Sequence, residues 1–162
     1  MRVEDWIALM TKGSPCVLDL GAGPGSHKAL IPPGACYHGI DRFAGYGSDD
    51  VAVADMRDTA TWCHDKRHTA MLIDSLEHVG HSDGENLLLQ LQEMFQRILV
   101  FTPDGLHVQE CDVTGKDNPY QRHECGWKAD ELCALGFTCS VDPDYHTGDP
   151  DKPGMIFGVW SR

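Results

Sequence analysis

The sequence predicts an α/β domain built on a mostly parallel β-sheet, and three observations support this. Short apolar runs typical of strands alternate with helix-like segments along the chain. Seven such runs occur, and a glycine-rich loop follows the first of them. The chain has 162 residues, the length of one ordinary domain, so we expect a single domain over residues 1–162.

The elements of the N-terminal half follow from the spacing of apolar residues. Residues 3–10 carry apolar side chains at helical spacing on one face, which predicts an amphipathic helix. We expect strands over residues 16–20, 36–40, 51–54 and 70–73, and short helices over residues 27–30 and 58–66.

The C-terminal half continues the alternation. Residues 84–97 predict a helix with one apolar stripe, for which Ser82 and Glu85 offer a capping box. A second helix over residues 128–135 ends at Gly136, a residue type that commonly follows a helix. We expect strands over residues 98–101, 137–141 and 155–160. The long polar segment 102–127 is the candidate substrate lid, because loops of this length inside compact domains often carry function.

The charge balance disfavours nucleic acid as a partner. Acidic residues number 25 against 13 basic ones, which gives a net charge of −12. Proteins that bind a polyanion do so through clustered lysines and arginines. Here Lys66 and Arg67 form the only adjacent basic pair in the sequence.

The sequence also disfavours membrane insertion, secretion and a disulfide framework. No apolar run approaches the roughly 18 residues of a membrane helix, and Glu4 and Asp5 stand where a signal peptide would be basic and then apolar. The 7 cysteines are scattered singly without a CxxC pair, which predicts reduced thiols. We therefore expect a cytoplasmic protein, and the sequence leaves homo-oligomerisation open.

The motif that carries the chemistry is the loop Asp19-Leu20-Gly21-Ala22-Gly23-Pro24-Gly25 between the first strand and a helix. Its glycines allow a tight turn and a close approach of the backbone to a ligand. Asp41 follows Gly21 by 20 positions, at the end of the next strand, where a carboxylate can accept hydrogen bonds from ribose hydroxyls. Together they predict a site for a nucleoside cofactor.

The spacing of the glycines disfavours a dinucleotide. A dinucleotide site has a third glycine at the sixth position of GxGxxG, and that position here is Ser26. Asp19, two residues before the first glycine, would repel a pyrophosphate and attract the ammonium of an amino-acid group. The loop therefore suits a cofactor with positive charge near the glycines.

The loop VLDLGAGPG resembles the first motif of the class I, seven-strand S-adenosylmethionine-dependent methyltransferases. The segments HGIDRF, VADMRD and MLIDSLEHV resemble the second, third and fourth motifs, in order. The resemblance implies a Rossmann-like three-layer sandwich whose last strand is antiparallel. It also implies a set of cofactor-binding residues: Asp19, Gly21, Ala22, Gly23, Gly25, Asp41, Arg42, Asp55, Met56, Asp74, Ser75 and Leu76.

The acceptor side of the site is expected just beyond these motifs. The resemblance implies that Glu77 and His78 face the transferred methyl group, and His78 follows the fourth strand, where open α/β sheets place their ligands. His78 and His123 are the candidate catalytic residues, as a base or a contact to the acceptor. The long segment adds Tyr120, Arg122 and Trp127 as candidate acceptor contacts.

Three further groups are expected to be structural. Asp117-Asn118-Pro119-Tyr120 looks like the (D/N)PPY box of amino-methylating enzymes, but it follows the fifth strand instead of the fourth, so we interpret it as a turn. The spacing of His107, Cys111, His123 and Cys125 matches no zinc pattern. We also expect a solvated acidic loop, and no metal site, at Asp142, Asp144, Asp149 and Asp151.

The leading hypothesis is a methyltransferase that moves the methyl group of S-adenosylmethionine to an oxygen or nitrogen of a small or medium acceptor, releasing S-adenosylhomocysteine. One alternative is a protein that binds S-adenosylmethionine without turnover, as a sensor or a partner subunit. A less favoured alternative is an NAD-dependent oxidoreductase. Fold alone does not identify the acceptor.

Overall fold

A seven-stranded mixed sheet forms the centre of the computed structural model, which describes residues 1–62, 68–109, 118–146 and 152–162. The strands are β1 Cys16–Leu20, β2 Cys36–Asp41, β3 Val51–Val53, β4 Thr69–Ile73, β5 Arg97–Pro103, β6 Thr138–Asp142 and β7 Met155–Ser161. Their spatial order is β3-β2-β1-β4-β5-β7-β6. The first five pair in parallel, and β7 runs antiparallel to β5 and β6. The expected mostly parallel sheet with an antiparallel last strand is confirmed.

Helices cover both faces of the sheet and create three layers. The α-helices are α1 Val3–Met10, α2 His81–Met94 and α3 Ala129–Ala134. Val17 of β1 packs with Trp6 and Ile7 of α1, whereas the next residue, Leu18, belongs to the core that α2 and α3 share. Successive strand residues point to opposite faces, so one buried strand supplies both cores.

Two helix predictions differ from the structure. Gly80 is the N-cap of α2 and no side chain caps it, so the capping box expected at Ser82 is wrong. The helix also ends at Met94 instead of continuing to residue 97, because Phe95 is extended and buried against Trp62. The strand β5 takes up the chain from Arg97.

The short helices are 3₁₀ turns. Ser26–Leu30 replaces the helix expected at residues 27–30, and Thr59–Thr61 lies inside the helix expected over residues 58–66. Residues 63–67, which include Cys63, Lys66 and Arg67, lie outside the described residues, as do Cys111, Asp117, Asp149 and Asp151. Gly136 follows α3 with φ +88°, as expected of a glycine after a helix.

In the four described ranges, each helix falls short of the length and apolar character that crossing a membrane requires.

Candidate functional site

A cavity of about 290 Å³ opens at the carboxyl ends of the parallel strands β1, β2 and β4. This is the edge at which open α/β sheets bind ligands. Four segments that follow strands line it on one side, and the segment after β5 lines it on the other. The lining residues are Gly21–Pro24, Ser26, His27, Ile40–Arg42, Tyr46, Asp55–Arg57, Ile73–Ser75, His78, Val79, Asn118–Arg122 and Glu124.

The glycine loop is fixed against its neighbours by contacts that exclude a side chain. Gly21 has φ +76°, and a Cβ atom there would lie 2.4 Å from Ser75 Cβ. The amides of Gly21 and Ala22 both donate to the carbonyl of Ile40, at 2.8 and 3.0 Å. Gly25 does not line the cavity. A Cβ atom there would lie 2.9 Å from Val51 Cγ2, so the space beside it is taken by β3. Glycine is thus required for packing as well as for access to the cavity.

Asp41 is oriented by backbone donors. Its Oδ2 accepts from the Gly23 amide at 2.8 Å, and its Oδ1 accepts from the Phe43 amide at 2.8 Å. Each carboxylate oxygen has a second lone pair, so both can also accept from a ligand hydroxyl. Backbone donors therefore hold the Asp41 carboxylate in a fixed orientation, at the position where a ribose-binding carboxylate is expected.

Asp19 lies behind the cavity wall and contacts His27, which lines the cavity. The carboxylate is fully buried, and its Oδ2 accepts from Tyr37 Oη at 2.7 Å and from His27 Nδ1 at 3.0 Å. Its Oδ1 is buried with no hydrogen-bond partner among the described residues. Burial alone would lower the pKa of His27, but the hydrogen bond and the charge of Asp19 outweigh burial and raise it. The sequence predicted that Asp19 binds the cofactor; in the structure His27 lines the cavity and the fully buried Asp19 does not.

Asp55 and Met56 line the cavity beside Arg57. The side chain and amide of Arg57 donate to Asp55, and the pKa of Asp55 falls to about 2, mainly because of the side-chain hydrogen bond. Arg42 lies 3.9 Å from the same carboxylate, and its guanidinium stacks 4.6 Å above the ring centre of Tyr120. This contact connects the segment after β2 with the segment after β5.

The segment after β4 forms the wall between the two sides. Asp74 has φ +48° and is exposed in the cavity, and Ser75 donates from Oγ to the Leu20 carbonyl at 2.7 Å. Leu76, an expected cofactor contact, is instead fully buried in the core and does not line the cavity. Its apolar side chain packs in the core under α2, whereas Asp74, Ser75 and His78 line the cavity.

His78 and His123 lie together on the acceptor side. His78 Nδ1 donates to the Arg122 carbonyl at 3.0 Å, and His123 Nδ1 donates to the His107 carbonyl at 2.6 Å. The two rings meet edge to face at 4.9 Å. Burial lowers the pKa of both rings. His78 lines the cavity and His123 lies behind it.

Glu77 is buried beside these rings instead of facing the cavity. Thr102 Oγ1 donates to its Oε2 at 3.0 Å, and burial raises the pKa of Glu77 to about 7. The carbonyl of Glu77 accepts from the amides of Glu124 and Cys125 at 2.8 and 3.3 Å. Its backbone therefore holds the segment after β5 against the segment after β4.

Trp127 is not an acceptor contact in the structure. Its ring is only 1% exposed, stacks on His81 at 4.2 Å and belongs to the core under α2. Gly84 makes room for it, because a Cβ there would lie 2.7 Å from Trp127 Cζ2. The large ring gains more free energy by burial than by exposure in a loop.

Asn118, Pro119 and Tyr120 form a turn that also lines the cavity. Asn118 Oδ1 accepts from the Tyr120 amide at 3.0 Å, which fits the turn that the sequence predicted. Their place beside Arg42 and the glycine loop was not predicted, since it depends on how the segment folds back over the sheet. Sequence reasoning also missed His27, Tyr46, Arg57, Gln121 and Glu124. Arg57 belongs to the quoted segment VADMRD, and His27 stands two residues after Gly25, so the sequence held a signal for both.

Several solved structures share this architecture. A SAM-dependent methyltransferase from Archaeoglobus fulgidus matches with a TM-score of 0.67 at 17% identity, over 99% of this chain and 93% of that one. The 1,6-didemethyltoxoflavin N1-methyltransferase of Burkholderia thailandensis, with that compound and S-adenosylhomocysteine bound, matches with a TM-score of 0.66 at 17% identity, over 99% and 77%. A chain of the Pnkp1/Rnl/Hen1 RNA repair complex matches with a TM-score of 0.59 at 14% identity, over 97% and 41%.

Neither a protein-family model nor a curated protein sequence matches the chain. The likeness therefore lies in the structure: the strand order, the antiparallel β7 and the cavity at the carboxyl ends of the parallel strands. The chain has the class I S-adenosylmethionine-dependent methyltransferase fold.

Proposed function

We propose that the protein transfers the methyl group of S-adenosylmethionine to an oxygen or nitrogen of a small or medium acceptor. One observation carries the proposal: the glycine loop, Asp41, Asp55 and Asp74, which are distant in sequence, line one cavity together with His78. The cavity volume of about 290 Å³ is near the lower end of the roughly 300–1,000 Å³ of small-molecule sites.

The described residues fit S-adenosylmethionine. Asp41 offers carboxylate oxygens for the ribose hydroxyls, and Met56 offers an apolar side chain for the adenine ring. The buried Asp19, with an unpartnered oxygen, and Asp74, which lines the cavity, place carboxyl groups near the ends of β1 and β4. Burial and the charge of Glu77 raise the pKa of Asp74 to about 7, and a bound ammonium or sulfonium would favour its charged form. When bound, the cofactor supplies an electrophilic methyl group for in-line displacement.

Methyl transfer requires that the acceptor atom be aligned with the methyl group. It also requires a base when the nucleophile holds its proton at neutral pH. The Nδ1 proton of His78 is donated to a carbonyl, so Nε2 is the nitrogen with a lone pair, and the ring lines the cavity. We assign His78 to the acceptor side, with Tyr120 and Arg122 as further contacts. His123 supports His78 from behind through ring contact.

Calorimetry with S-adenosylhomocysteine tests the cofactor site. We expect micromolar binding by the wild type and a loss of about 100-fold in Asp41→Ala, since hydrogen bonds to a charged group contribute about 1.5–3 kcal/mol each. Asp41→Asn keeps a side-chain acceptor for one backbone amide and checks that the loss is not misfolding. Asp5→Asn, on the exposed side of α1, is the matched control. Absence of binding by the wild type would overturn the proposal.

Turnover separates the enzyme from a binding protein that does not react. A panel of hydroxyl and amine acceptors should release S-adenosylhomocysteine, and His78→Ala should reduce that release while S-adenosylhomocysteine still binds. Cofactor binding without release for any acceptor would instead favour a sensor or a partner subunit. Short RNA belongs in the panel because one similar structure is part of an RNA repair complex, although the net charge of −12 disfavours it.

An NAD-dependent reaction is less favoured. Ser26 begins a five-residue 3₁₀ turn, so no α-helix N-terminus follows the glycine loop to bind a pyrophosphate. An increase in NADH fluorescence on addition of the protein would favour the NAD-dependent reaction. We propose the cytoplasm as the compartment, because the thiols of Cys36, Cys125, Cys133 and Cys139 form no disulfide in the described part of the chain. Homo-oligomerisation is to be measured by light scattering.

A further inference from the structure

Glu77, His78 and His123 form a cluster of metal-ligand side chains at the wall of the cavity. One nitrogen or oxygen atom of each lies within 4.8 Å of those of the other two. The turn after β4 supplies Glu77 and His78, and the segment after β5 supplies His123. Two imidazoles with one carboxylate are a ligand set that divalent transition-metal ions prefer.

Hydrogen bonds hold both rings in the tautomer that a metal needs. Nδ1 of His78 and Nδ1 of His123 each contact a backbone carbonyl, of Arg122 and His107. A carbonyl only accepts, so each Nδ1 carries the proton and each Nε2 keeps its lone pair. Metal-binding histidines are commonly oriented in this way by a carbonyl or carboxylate behind the ring.

Among the described residues, no positively charged side chain lies within hydrogen-bond distance of the Glu77 carboxylate. Its side chain is 3% exposed, and Thr102 satisfies Oε2 at 3.0 Å. The Oε1 atom has His123 Nε2 at 4.0 Å, too far for a hydrogen bond. Within the described ranges no lysine or arginine forms an ion pair with it. A buried carboxylate costs free energy unless a positive charge lies beside it, and a divalent cation supplies that charge.

We propose that Glu77 Oε1 and the Nε2 atoms of His78 and His123 bind a divalent transition-metal ion at the edge of the cofactor cavity. Ligand atoms held about 2.1 Å from such an ion lie about 3.4 Å apart in a tetrahedral site, so the side chains close by about 1 Å on binding. Three protein ligands leave at least one coordination position for water or an acceptor atom. Only the acceptor part of this inference rests on the proposed methyl transfer.

A metal site would give Glu77 and His123 a role that methyl transfer alone does not give them. Glu77 and His123 lie behind the cavity wall, where they reach no acceptor directly, yet their ligand atoms converge on His78. An ion held by all three would polarise an oxygen or nitrogen in the open position next to His78.

Titration of the protein with Co²⁺ alone tests the site by visible absorption. We expect one equivalent to give the d–d bands of a nitrogen and oxygen site, without the thiolate charge-transfer band that the cysteines would produce. His123→Ala and Glu77→Gln should each weaken Co²⁺ binding tenfold or more. His68→Ala is the matched control, because His68 lies just before β4 at the opposite edge of the sheet, and its Co²⁺ affinity should equal that of the wild type.

Glu77→Gln keeps the size of the side chain and an oxygen that can accept from Thr102, so we expect this variant to fold. It therefore tests the site even if His123→Ala does not fold. Absence of Co²⁺ binding, a thiolate band, or equal affinity of the wild type and both variants would overturn the metal site. Calorimetry with S-adenosylhomocysteine on the same samples separates the two proposals. A wild-type protein that binds S-adenosylhomocysteine but not Co²⁺ overturns only the metal site, and one that binds Co²⁺ but not S-adenosylhomocysteine overturns only the cofactor site.

Discussion

At the scale of single residues, glycines in the same loop are required for different reasons. Gly21 cannot carry a side chain because Ser75 occupies the space, whereas Gly23 has φ +55° and open space around its missing Cβ. Gly23 also lines the cavity and donates its amide to Asp41. A side chain at Gly23 therefore meets no protein atom and enters the space that a cofactor would fill.

Gly23→Ala should keep the fold and lose cofactor binding. The positive φ costs about 1–2 kcal/mol of stability in an alanine, and the added methyl group projects where the cofactor would lie. Gly13→Ala is the control, since Gly13 has φ +82°, equally open space and no place in the cavity. Urea unfolding should give similar losses for both variants, and calorimetry should show weaker S-adenosylhomocysteine binding only for Gly23→Ala. Equal binding by both would contradict the location of the cofactor.

The pair Asp19 and His27 gives a second prediction, on pH. The pKa of His27 in the folded protein is raised above its usual 6.5 by Asp19 in spite of burial. The protonated ring therefore stabilises the fold fully below pH 6.5, and this contribution is lost as the pH rises through the higher folded pKa.

The stability difference between the wild type and His27→Gln should accordingly be largest at acid pH and shrink towards alkaline pH. Urea unfolding from about pH 5.5 to about pH 8.5 measures it. In an Asp19→Asn background the partner charge is absent and burial lowers the pKa of His27, so the effect of His27→Gln should no longer be largest at acid pH. A constant difference in the wild-type background would contradict the ion pair.

At the scale of elements, α2 joins the sheet to the segment that covers the site. Leu87, Leu88 and Leu91 are buried on its inner face, in the same core as Trp127 at the end of that segment. The turn Leu76–His78, just before α2, holds the segment through the Glu77 carbonyl. Packing of one helix thus sets the position of residues on both sides of the cavity.

Leu88→Ala should destabilise the protein by about 2–5 kcal/mol, because the side chain is fully buried and its removal leaves a cavity. The next residue, Leu89, is 43% exposed, and Leu89→Ala should change stability by less than about 0.5 kcal/mol. Urea unfolding compares the two variants directly. Similar losses for both would contradict the orientation of α2.

At the scale of the whole molecule, a ligand bound among four separate segments should stabilise the entire fold. S-adenosylhomocysteine at 100 times its dissociation constant adds about 2.7 kcal/mol, which raises the melting temperature by about 5–11 °C in a domain of this size. NADH at the same concentration should leave the melting temperature unchanged. Asp41→Ala should lose the shift with S-adenosylhomocysteine, as measured by differential scanning calorimetry, and a shift with NADH alone would contradict the proposed cofactor.

The sequence by itself determined the strands, the glycine loop and the spaced Asp41, because these depend on local apolar runs and on turn chemistry. The helix ends were less accurate: buried Phe95 ends α2 early, and packing against Trp62 is a tertiary contact that periodicity does not contain. Only the tertiary structure decided the other wall of the cavity. It buried Trp127, turned Leu76 into the core and brought His123 to Glu77 and His78. The segment after β5 has no period of its own, so its position follows from hydrogen bonds and packing with residues far away in the sequence.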